Sequence, residues 1–75
     1  MATELQKLFG QNVRRLRQSQ GLTQAELALK AGLNRSYLGG VERGQRQIGL
    51  ENIDKLAKAL SVSPEVFFKT DYSKI

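Results

Sequence analysis

The chain has 75 residues, with 12 Lys and Arg against 7 Asp and Glu, giving a net charge of +5 and a pI of about 10.0. That length supports one small domain, residues 1–75, around a single core. The absence of Cys and His excludes a disulfide framework and a thiolate zinc site, and removes the commonest catalytic base.

No apolar run is long enough to span a membrane, and the opening MATELQKLFG is no secretory signal, so a soluble cytoplasmic protein is expected. The basic balance fits a nucleic-acid partner.

In chain order, residues 4–20 read as a first helix. Leu5, Leu8, Phe9, Val13 and Leu16 recur at helical spacing and form one apolar stripe, with Arg14 and Arg15 off it. Gly10 weakens the middle of this helix, so fraying of its first turns is expected. Gly21 suits the left-handed position just past its end.

Residues 23–43 read as two short helices joined by a tight turn. Thr23 and Glu26 make a capping box, T-x-x-E, with Leu22 and Leu27 as the flanking hydrophobic staple. Gly32 ends the first of the two helices. Asn34 caps the second, Leu33 and Leu38 repeat the staple, and Gly44 closes it. Leu27, Ala28, Ala31, Leu33, Leu38 and Val41 are placed to fill the angle between the helices. Together these are the signals of a helix-turn-helix.

Gln45 to Gly49 is a polar connection with Ile48 as its apolar anchor. A fourth helix spans about Leu50 to Leu60 with the stripe Ile53, Leu56, Ala57 and Leu60. Ser63-Pro64 starts a short fifth helix, and Val62 with Phe67 suggests a third staple. Nothing alternates with period two, so no strand is expected. The expected fold is all-α, a compact five-helix bundle, with the helices in 50–69 serving core and dimerisation.

Catalysis finds little support. The seven carboxylates form no obvious pair on one helix face, and Ser36, Ser61, Ser63 and Ser73 read as caps, turns or polar surface. Gly39-Gly40 is no phosphate cradle. Neither a metal, a cofactor nor a small-molecule ligand is expected.

DNA binding accounts for more. The second helix of such a motif enters the major groove with its N-terminal residues toward base edges. That end carries Arg35, Ser36 and Tyr37. Arg35 is suited to a bidentate contact with guanine, against the alternative of a solvated surface charge. Ser36 can bond a base or a phosphate. Tyr37 offers its hydroxyl or its ring to DNA, or else lies along the helix as partial core. Asn34 is first a cap and second a phosphate contact.

Gln24, at a helix N-terminus that attracts anions, and Arg43, Gln45, Arg46 and Gln47 after the recognition helix are candidates for phosphate contact, against plain surface residues. Gly39 and Gly40 break the helical rule at about 1 kcal/mol each. They suggest either close approach of the backbone to DNA or close packing against another helix.

Gln24-Ala25-Glu26-Leu27-Ala28, Gly32, Leu38, Val41 and Glu42-Arg43-Gly44 resemble the Cro and phage-repressor, or Xre, family of helix-turn-helix proteins over Leu8 to Phe68. Within it, NRSYLGGVERG looks most like the controller proteins of restriction-modification systems. The resemblance implies phosphate contacts at Gln24 and in the loop after the recognition helix. It implies a partly buried ion pair between Arg17 and Glu42. Residues around Gly39 and Gly40 often read bases in that family, so readout here is expected at Arg35 and Ser36, with DNA shape adding to it.

The expected function is a sequence-specific transcription regulator, a homodimer on an inverted-repeat operator, controlling a restriction-modification system and its own gene. RNA polymerase is a candidate partner. Phe67, Phe68, Tyr72 and Ile75 offer apolar surface for the dimer, with one of the two phenylalanines expected inward and the other at the interface. The rivals are an antitoxin or phage repressor and a protein-interaction adapter on the same fold.

Overall fold

The computed structural model describes residues 2–70. Tyr72, Ser73 and Ile75, named above for the interface or the surface, lie outside the described residues. Four α-helices follow one another: α1 (Glu4–Ser19), α2 (Gln24–Ala31), α3 (Arg35–Glu42) and α4 (Leu50–Leu60). A 3-10 turn, Pro64–Phe68, ends the sequence of elements, and no strand occurs among the described residues.

The expected fifth helix is thus corrected to a 3-10 turn. Val66 N–H donates to Ser63 O at 3.1 Å and Lys69 N–H to Val66 O at 3.4 Å, both three residues back. Five residues are too few to establish a ladder of bonds four residues back.

Local signals set the helix ends. Thr23 Oγ1 accepts from Glu26 N–H at 3.0 Å, and Glu26 Oε1 accepts from Thr23 N–H at 2.8 Å. The bond from the Thr23 backbone, then that with its side chain, holds the Glu26 carboxyl below the ordinary carboxylate range. Gly32 sits at φ 70° and Gly44 at φ 74°, the left-handed region where a Cβ is strained.

The first turns of α1 are regular and capped, although Gly10 by itself disfavours helix there. Thr3 and Gln6 form a second capping box, and the helix runs unbroken through Gly10. Gly10 is buried because α1 crosses α3 there. A Cβ at Gly10 would collide with Val41 O and lie 2.6 Å from Glu42 O. The glycine is needed for helix–helix approach, and packing outweighs its intrinsic propensity.

The core joins all five elements. Phe9 and Val13 of α1, Leu27 of α2, Leu38 and Val41 of α3, Leu56 and Leu60 of α4, and Phe67 are buried together. Leu22, Leu33, Ile48, Ile53 and Val62 are half-buried against them. Asn12 is the polar member: its Nδ2 donates to Phe67 O at 2.6 Å and to Lys69 O at 3.0 Å. It ties the 3-10 turn to α1.

Candidate nucleic-acid interface

The α2–turn–α3 unit is held from behind by an ion pair. Arg17 Nε donates to Glu42 Oε2 at 2.7 Å and Arg17 Nη2 to Glu42 Oε1 at 2.9 Å. Arg17 Nη1 donates to Leu22 O at 2.9 Å. The hydrogen bond to Glu42 raises the Arg17 pKa against the opposing effect of burial. Gln24 Nε2 adds a bond to Glu42 Oε1 at 3.0 Å. One carboxylate therefore fixes α1, the start of α2 and the end of α3.

The front of α3 is open. Arg35 and Ser36 are exposed on its first turn, with no hydrogen bond or ion pair to other described residues. An unpaired guanidinium at this end of the helix can offer two parallel donors to one base edge. Asn34 Oδ1 caps the helix by accepting from Tyr37 N–H at 3.1 Å, which leaves its NH2 group as the only side-chain donor for a phosphate.

Tyr37 does not present a free hydroxyl. The ring is half-buried against the core, the hydroxyl donates to Gln47 O at 3.3 Å, and it accepts from Asn52 Nδ2 at 3.2 Å. Asn52 was not anticipated; it lies at the edge of the apolar stripe of α4, half-buried, and nothing local to it signals a partner on α3. The guanidinium carbon of Arg46 lies 5.2 Å from the Tyr37 ring centroid, within cation–π range.

Gly39 and Gly40 are buried, so neither leaves bare backbone facing outward. Space above Gly39 is taken by Arg43 Nη1, 3.2 Å from where a Cβ would be, and by Gln24 Oε1 at 3.5 Å. Space above Gly40 is taken by the Arg46 side chain. Of the two readings offered for these glycines, close packing is what this structure displays, and it is against side chains rather than another helix. Arg43, Gln45, Arg46 and Gln47 are exposed on the connection that follows, and Arg43 Nε donates to Gln45 Oε1 at 3.0 Å.

Of the two phenylalanines, Phe67 is fully buried and is the inward member of the pair, so it drops out of the residues named for the interface. Phe68 is 40% exposed and faces Phe9, with ring centroids 5.4 Å apart. Leu5, Phe9, Ile48, Ile53 and Phe68 line one shallow depression. None of the described helices is long and apolar enough to cross a membrane, and no metal-binding group of His, Cys, Asp and Glu occurs among the described residues.

This geometry, a two-helix unit braced by a buried ion pair and presenting an open cationic helix end, defines a DNA-binding helix-turn-helix protein. The helix-turn-helix family profile matches residues 13–67, and the chain belongs to that family. It is 42% identical to the control protein C.BamHI of Bacillus amyloliquefaciens over 66 residues, 87% of this chain and 82% of that protein. The crystal structure of the restriction-modification controller protein C.AhdI from Aeromonas hydrophila superposes with a TM-score of 0.82 at 54% identity. That match covers 84% of this chain and 96% of C.AhdI. C.Esp1396I bound to a 19 base pair DNA duplex superposes with a TM-score of 0.80 at 33% identity, covering 88% of each chain. These relatives are regulators and not enzymes.

Proposed function

We propose that this protein is a cytoplasmic transcription regulator that controls a restriction-modification system, its own gene included, by binding an inverted-repeat operator as a homodimer. The observation that carries the reading is the free, exposed Arg35 and Ser36 on the first turn of a braced α3, in a chain similar to C.AhdI over most of its length. Arg35 and Ser36 meet base edges. Gln24, Asn34, Arg43, Arg46 and Gln47 meet phosphates on either side, and Tyr37 supports Arg46 rather than reading a base by itself.

The depression around Leu5, Ile48, Ile53 and Phe68 supports pairing of two copies. The motif requires a two-fold dimer to set its α3 helices about one DNA turn, roughly 34 Å, apart, and a molecule of 30 × 29 × 19 Å is of a size that allows it. No ligand-sensing module is part of the reading. Occupancy then follows the regulator's own concentration, with RNA polymerase as the partner that reads it out.

Footprinting on the DNA upstream of its own gene tests the proposal. Protection of two half-sites in opposite orientation is expected, beside genes for a methyltransferase and a nuclease. Binding that shows no sequence preference and no salt dependence would favour a protein-interaction adapter instead.

A further inference from the structure

A glycine inside a helix needs a reason, because alanine forms helix better there. Gly40 lies in the last turn of an eight-residue helix. A Cβ built on it would lie 2.5 Å from Cγ of Arg46, 3.4 Å from Cδ and 3.7 Å from Cβ. The whole aliphatic stem of Arg46 thus runs across the bare backbone of α3.

The chain gets there by a reversal. Gly44 is left-handed at φ 74°, and Gln45 N–H donates to Gly40 O at 2.9 Å, which folds residue 46 back over residue 40. The Arg46 head then rides over the ring of Tyr37, which Gln47 O and Asn52 hold in place. No carboxylate pairs with Arg46 among the described residues. Gly39 differs: its neighbours are the far ends of Arg43 and Gln24, which can swing away.

We propose that Gly40 is a seat for Arg46, and that the seat and the Tyr37 ring hold this guanidinium in advance as a cation for a DNA phosphate. The inference rests on the DNA-binding reading. Arg46 would otherwise be a long, freely rotating side chain, and its immobilisation on contact would oppose binding. Held in place, it presents a weakly hydrated fork suited to phosphate oxygens. Gly40 is then a positioning residue that acts through Arg46 and touches no DNA.

The experiment is a double-mutant cycle of Gly40→Ala and Arg46→Ala. It measures affinity for the footprinted operator duplex and for a random duplex of equal length across a salt series, together with thermal melting. Each single variant should lose roughly tenfold in affinity per bound protomer on both duplexes, the scale of one charge-assisted hydrogen bond. Each should also lower the slope of log affinity against log salt by about one per bound protomer, about two for the dimer. Gly40→Ala in the Arg46→Ala background should cause no further loss. A Gly40→Ala protein that melts low supports the seat when adding Arg46→Ala restores it, and overturns the seat when it does not. Losses that multiply in the double variant would place Gly40 itself at the DNA and overturn the proposal, as would unchanged affinity of Gly40→Ala. Wild-type protein that binds neither duplex overturns the regulator reading as well.

Discussion

Arg17 and Glu42, 25 residues apart in sequence, meet fork to carboxylate with only 11% and 2% of their side chains exposed. The pair clamps α1 to the C-terminal end of α3, and Gln24 shares the same carboxylate from the start of α2. Glu42→Ala leaves a guanidinium enclosed without its counter-charge. It should destabilise the fold by about 3–5 kcal/mol, read by chemical or thermal unfolding. An unchanged melting curve would show that the clamp contributes nothing to stability.

Gly10→Ala sets two effects against each other. Alanine favours helix by up to about 1 kcal/mol. Its methyl group would press on the carbonyls of Val41 and Glu42, which are backbone and cannot rotate away. Overpacking of this kind costs about 1–3 kcal/mol or more, so a net fall in melting temperature is expected. A rise would mean that α1 can shift off α3 cheaply.

Arg35→Ala should weaken operator binding by about 1–3 kcal/mol and relax preference at one position in each half-site. Competition between the operator and its single-base variants measures this. Equal weakening on random DNA would reassign Arg35 to a phosphate.

Phe68→Ser and Phe67→Ser should separate assembly from folding. The first removes exposed surface and should shift sedimentation toward monomer with helix content kept. The second empties the core and should cost about 3–5 kcal/mol. A protein that stays dimeric after Phe68→Ser would move the interface elsewhere.

Features written in neighbouring residues could be read from sequence. The Thr23–Glu26 capping box, the left-handed Gly32 and Gly44, and the stripe of α4 all depend on contacts within a few positions. Gly10 misled because its partner is backbone some 30 residues away, which no local propensity records. Asn12 sits among apolar stripe positions of α1, and a polar residue there was the one available signal of its buried role. Phe67 and Phe68 could not be told apart because a single short turn sets their phase. Gly40 announced itself as an anomaly, but the residue that explains it comes from a chain reversal. Arg17 and Glu42 came from family resemblance alone, since each taken singly is only a polar residue beside an apolar one.

Asn12 has a consequence that reaches beyond the core. Its Nδ2 grips carbonyls on both sides of Phe68, 55 and 57 residues along the chain, while its Oδ1 is buried with no partner among the described residues. The backbone that carries Phe68 is therefore anchored within the monomer. In the proposed pairing through Phe68, little chain ordering would be left for the encounter, so self-association would lose little entropy there. The threshold concentration for pairing would then depend on α1, and a change at residue 12 would retune it from inside the monomer.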